Sequence, residues 1–142
     1  SHPDGILQIL CRSTMARILS SRSADNGRTW SDLIPVSLPN PNAGIDAITL
    51  NDDRHSLVYN HLEKGRHRLN MAISTNGTNW EAVLLLENDE KGVEYSYPAV
   101  IQTDDGLVHI TYTWKRKMIK HVIIDPSKII SRSFKGDEWP EK

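Results

Sequence analysis

One cysteine, Cys11, stands in a chain of 142 residues, so no internal disulfide can staple the fold and a packed core must hold it. Helix signals are lacking too: no segment sustains apolar residues at helical spacing. No apolar run approaches the length of a membrane span. Neither sign of charge is in excess, with 17 Lys and Arg against 18 Asp and Glu, which argues against a nucleic acid or a membrane surface as partner. Phosphate loop, dinucleotide fingerprint and metal-ligand spacing are all missing, so neither a cofactor nor a metal is expected. A secretory leader is missing as well, and Ser1-His2-Pro3-Asp4-Gly5 reads as a hairpin turn. The chain is therefore expected to begin inside a structural unit.

What is present is a repeated turn. Ser23-Ala24-Asp25-Asn26-Gly27-Arg28-Thr29-Trp30 follows a strand-like run. Its Asp can accept hydrogen bonds from the N–H groups of its own turn, and Asn26-Gly27 suits a reversal that needs positive φ. Ser23 ties the incoming strand to the turn, and Trp30 is expected to return a large apolar side chain to the core. Trp80 stands 50 residues after Trp30, and each follows a glycine (Gly27, Gly77) by three positions. The second turn, Ser74–Trp80, is one residue shorter and carries Asn76 in place of the Asp. A polar turn leading into an apolar strand also recurs, at Asp4-Gly5, Asn51–His55 and Asp104-Asp105-Gly106. A period of roughly 50 residues is that of a four-stranded propeller blade.

Strands are expected at 6–12, 16–21 and 33–37, at 45–50, 56–60, 69–74 and 82–87, and at 97–102, 107–114 and 119–124. Residues 1–40 then form a blade lacking its first strand, 41–90 a complete blade and 91–130 an incomplete one. Residues 131–142 form a polar, irregular tail with Phe134 and Trp139 as anchors. That is about two and three-quarter blades of an all-β propeller. A propeller must close to protect its sheet edges, so the remaining blades are expected from the parent chain or from self-association. Strand alternation assigns the repeated turns to one face of the disc. The opposite face receives Arg12, the 60–68 loop, the 88–96 loop and Lys115-Arg116-Lys117.

The turn at 23–30 looks like an Asp-box, and the segment from Leu38 to His109 resembles the C-terminal half of exo-sialidases, the family of BNR-repeat, sialidase-like proteins. The likeness rests on Leu38-Pro39-Asn40-Pro41, Arg66, the turn at 73–80, Tyr95-Ser96 and Asp105-Gly106, with Cys11-Arg12-Ser13 upstream. It implies a sialidase-type six-bladed β-propeller and hydrolysis of an acidic glycan. Carried over position by position, it makes Arg12 and Arg66 a clamp on the substrate carboxylate and Tyr95 the nucleophile. Arg68 is the alternative to Arg66; from strand order, His61 on the same face is a candidate acid/base group or substrate contact, and Asp46, at the start of an inner strand, a candidate lining residue of the central channel. A planar guanidinium binds a carboxylate bidentately at any working pH. A neutral tyrosine avoids the repulsion that an anionic nucleophile meets beside that carboxylate, and sialidases are the Tyr-nucleophile exception among glycosidases.

The same resemblance implies secretion or the periplasm. It also places the acid/base aspartate, the glutamate partner of the tyrosine and the first clamp arginine before residue 1, so the chain alone is expected to be inactive. Glu94 adjoins Tyr95 but should point to the other side of an extended segment. Two other readings use the same residues. One is a polysaccharide lyase on uronate glycans, with Tyr95 or His61 abstracting the proton α to the carboxylate. The other is a glycan-binding propeller without catalysis.

Overall fold

In the computed structural model, which describes residues 1–140, the strands lie in three antiparallel sheets. Strands β1 (Leu7–Cys11), β2 (Arg17–Ser23) and β3 (Ile34–Pro39) form the first. Strands β4 (Asp46–Thr49), β5 (His55–Tyr59), β6 (Arg68–Ser74) and β7 (Trp80–Asn88) form the second, and β8 (Tyr95–Gln102), β9 (Val108–Trp114) and β10 (Met118–Ile124) the third. Each strand bound lies within two residues of the sequence expectation. The neighbours pair in chain order, as in propeller blades, and the inner strands β4 and β8 of adjacent sheets lie side by side.

The tail departs from its expected irregularity. After a short 3-10 turn at Pro126–Lys128, capped by the Asp125 carboxylate, Arg132–Ser133 pair antiparallel with Ala82 and Glu81 of β7 as strand β11. The second sheet thus has five strands. The physical reason is that β7 offers an open edge with unpaired backbone groups, and a short strand covers part of it.

Two apolar seams hold the sheets together, and β5 belongs to both. Leu57 and Tyr59 pack with Ile18, Leu38, Ala72 and Trp80 between the first and second sheets. Val58 points the other way, into Leu69, Met71, Val100, Ile110 and Tyr112 between the second and third. Every residue of β5 is buried, the polar His55 and Ser56 as well as Leu57, Val58 and Tyr59, because both faces of this strand are covered. Each such aliphatic side chain contributes roughly 1.5–3 kcal/mol by leaving water. At the first seam Gly77 has φ +68, and a Cβ there would stand 2.1 Å from Gln8 Oε1. Only glycine lets Gln8 reach across to donate to the Gly77 carbonyl, at 2.9 Å.

The 23–30 turn is built by its own side chains. Asp25 accepts from Thr29 N–H (2.8 Å) and Thr29 O–H (2.6 Å), and the Ser23 hydroxyl accepts from Gly27 N–H (2.8 Å). Trp30 corrects the sequence expectation: it is 41 % exposed, and its indole N–H donates to the Gly27 carbonyl of its own turn. Trp80 is buried in the first seam. The difference follows from register, because Trp80 is the first residue of β7, whereas Trp30 lies four positions before Ile34, the first residue of β3.

The Thr29 hydroxyl and N–H, with Ser23, hold the Asp25 carboxyl down at about 2. A depressed carboxyl stabilises the fold above its ordinary range, and the effect disappears as pH falls through the folded value. Asp25→Ala should therefore lower Tm by a few degrees at neutral pH, with the gap to wild type closing between about pH 4 and pH 2. Thermal unfolding followed by circular dichroism reads this directly. A gap that stays constant down to pH 2 would mean that the charge of Asp25 does not hold the turn.

Candidate functional site

Three loops meet at the end of the sheets opposite the 23–30 turn: residues 60–67, 89–94 and 115–117. Their backbones are tied first. Tyr95 N–H donates to the Arg66 carbonyl (2.8 Å), and Lys115 N–H donates to the Glu94 carbonyl (2.8 Å). Asn60, fully buried at the end of β5, bridges the two segments by donating to the carbonyls of Arg68 (2.6 Å) and Tyr95 (2.9 Å). With both of its backbone groups engaged, Tyr95 has a fixed place beside Arg66.

Side chains complete two charged groups on this frame. Glu94 accepts from Arg66 Nη1 (3.1 Å) and the Ser96 hydroxyl (2.8 Å), and it pairs with Arg116 Nε at 2.8 Å. Partial burial pushes the Glu94 carboxyl up, but Ser96, Arg116 and Arg66 together outweigh that and leave it below its ordinary range. The second group is a line: Tyr95 O–H donates to Asp89 Oδ2 (2.9 Å), and Lys115 Nζ stands 2.7 Å from the same oxygen. Lys115, the Glu90 N–H and Tyr95 hold Asp89 at about 2, so it stays ionised. Burial and the neighbouring Asp89 charge push the Tyr95 phenol up, so it stays neutral.

Tyr97 is the exposed tyrosine of the site. Its ring lies under the Arg66 guanidinium, 5.6 Å from the centroid, and its backbone is left-handed at φ 53. Gly44 makes room for the ring, which a Cβ would meet at 3.1 Å. A bulky residue in this conformation costs on the order of 1–3 kcal/mol, a strain that clusters at functional sites.

The structure joins Arg66 and Tyr95 through their backbones, while their side chains bond to Glu94 and Asp89 respectively, and Arg12 is exposed just after β1 with its guanidinium free of ion pairs among the described residues. The other expected residues lie elsewhere. Arg68 turns to Asn88 across the β6–β7 pair (2.9 Å). Asp46 accepts from the Val100 N–H of β8 (2.8 Å), joining the two inner strands rather than presenting a free carboxylate. His61 is buried under the tail, stacked on Phe134 and edge-on to Trp139, with its ring nitrogens bonded to Tyr59 O–H (2.5 Å) and the Asp137 carbonyl (2.9 Å). That burial lowers its pKa. Strand order put Lys115 and the loops that hold Asn60, Asp89 and Glu94 on this face, but it gave none of the four a role in the site.

The BNR repeat-like domain profile matches residues 1–110. The fold is similar to the intramolecular trans-sialidase from Ruminococcus gnavus in complex with oseltamivir carboxylate, at TM-score 0.74 and 18% identity over 91% of this chain and 32% of that one. A Hadza microbial sialidase gives TM-score 0.67 and 20% identity over 89% of this chain and 26% of that one. The leech intramolecular trans-sialidase complexed with 2,7-anhydro-Neu5Ac gives 0.64 and 19%, over 89% and 23%. The chain thus spans a third or less of these structures. No curated protein matches it.

Proposed function

Because this chain belongs to the BNR repeat-like domain family, we propose that it is part of a sialidase-like glycosidase acting on an acidic glycan, active only in the whole protein. Arg12 and Arg66 grip the substrate carboxylate. Tyr95 Oη attacks the anomeric carbon as the glycosidic bond breaks; its proton passes to Asp89, and the leaving oxygen takes a proton from an acid in the rest of the whole protein. Water then hydrolyses the glycosyl–tyrosine bond. The observation that carries this reading is the line Lys115–Asp89–Tyr95, at 2.7 and 2.9 Å, on a segment whose backbone is bonded to that of Arg66. A neutral phenol avoids the repulsion that an anionic nucleophile meets beside the substrate carboxylate, and Asp89 is within hydrogen-bond reach of its proton.

One observation favours a second reading. Tyr95 is only 2 % exposed, which suits a glycan-binding propeller without turnover. Product analysis separates the possibilities. The whole protein is incubated with 3′-sialyllactose and with a uronate oligosaccharide, while new reducing ends and near-ultraviolet absorbance are followed. Hydrolysis is expected: reducing ends without absorbance. Growing absorbance would replace it by a lyase, and saturable binding with no product by the non-catalytic reading.

A further inference from the structure

The loops 64–68, 89–94 and 115–117 carry seven lysines and arginines against three carboxylates, on a chain whose formal net charge is −1. The excess is local, and one carboxylate clamp does not account for it. Arg116 is its most exposed paired member. It touches Glu94 only through Nε, its side chain is 76% exposed, and its two terminal nitrogens meet no acceptor among the described residues. That leaves open the guanidinium edge that fits a carboxylate or sulfate in two parallel hydrogen bonds.

The hairpin backbone points the same way. Lys115 and Arg116 both adopt left-handed conformations, φ 53 and 56, in a two-residue turn where Asn-Gly would be unstrained. Lys115 is accounted for by Asp89 and by the Trp114 ring beneath it, 4.8 Å away. Arg116 shares the two oxygens of one carboxylate with Arg66. The two guanidinium groups are therefore held side by side, with one negative charge between them.

We infer that Arg116 is a specificity residue that binds a second anionic group, so that the preferred ligand is a glycan carrying at least two carboxylates or sulfates. This rests on the clamp reading of Arg66. The test measures binding of 3′-sialyllactose, trigalacturonate and a disulfated disaccharide to the whole protein by calorimetry, for wild type and for Arg116→Asn, Lys117→Ala and Arg66→Ala. Asn accepts the left-handed turn, so Arg116→Asn removes the cation without disturbing the hairpin. Expected is about a tenfold loss for the multiply charged sugars and less than a twofold change for the singly charged one. Lys117→Ala should shift all three alike and by less. Equal loss across all sugars, no loss, or a Lys117→Ala effect as large as that of Arg116→Asn would overturn the inference. Failure of the clamp itself has a different signature: Arg66→Ala binding every sugar as wild type does. Carboxylate and sulfate are told apart by which of the two multiply charged sugars loses more.

Discussion

Tyr95→Phe should abolish turnover of an acidic glycan by the whole protein, lowering kcat on the order of 10³-fold or more, the scale seen when a covalent nucleophile is removed. The change is local. The ring stays in the seam with Val100, Ile110 and Tyr112, and Asp89 keeps its contact with Lys115, so a loss of only about 1 kcal/mol in stability is expected for the missing hydrogen bond. Substrate binding should change little, because the clamp does not use the hydroxyl. Across the working pH range Asp89, at about 2, remains ionised, so its titration does not shape the rate profile near neutrality. Steady-state kinetics, with thermal unfolding lowered by no more than a few degrees, checks the claim. A variant that retains full kcat would remove Tyr95 from the chemistry and leave the binding reading in its place.

Arg66→Ala should lower kcat/KM by about 100-fold, close to 3 kcal/mol of transition-state stabilisation, the upper range for a hydrogen bond to a charged group. Most of the loss should appear in KM, since the carboxylate is gripped in both the ground state and the transition state. Arg66→Lys should restore little. A lysine keeps the charge but loses the planar fork, the hydrogen bond to Glu94 and the stack on Tyr97. Glu94 remains paired with Arg116 and Ser96 in either variant, so the loops should stay folded. Full recovery by lysine would reduce Arg66 to a source of charge.

The fold was legible because its signals are local. Asp25, Gly27 and Ser23 act within one turn, strand alternation repeats every two residues, and the period near 50 residues follows from those turns. Trp30 was misread because the same motif can end on the first residue of its strand, as at Trp80, or four positions before it, as at Trp30, and that offset decides whether the indole enters the seam. Arg66 and Tyr95 could be assigned to one face by strand order alone. Their partners could not, because Glu94 meets Arg66 across 28 residues and Asp89 meets Lys115 across 26. No spacing rule joins such loops. His61 illustrates the opposite case: its loop position suggested access to substrate, and only the returning tail reveals why it is buried.

That tail has a consequence for the order of assembly. Phe134 packs into the seam between the first two sheets, and Asp137 pairs with Arg17 at 2.6 Å across 120 residues. During synthesis the ribosome makes these residues only after strands β1 to β11. The joint between the first two sheets therefore reaches its final packing only once residues 134 and 137 have emerged, later than the strands it joins.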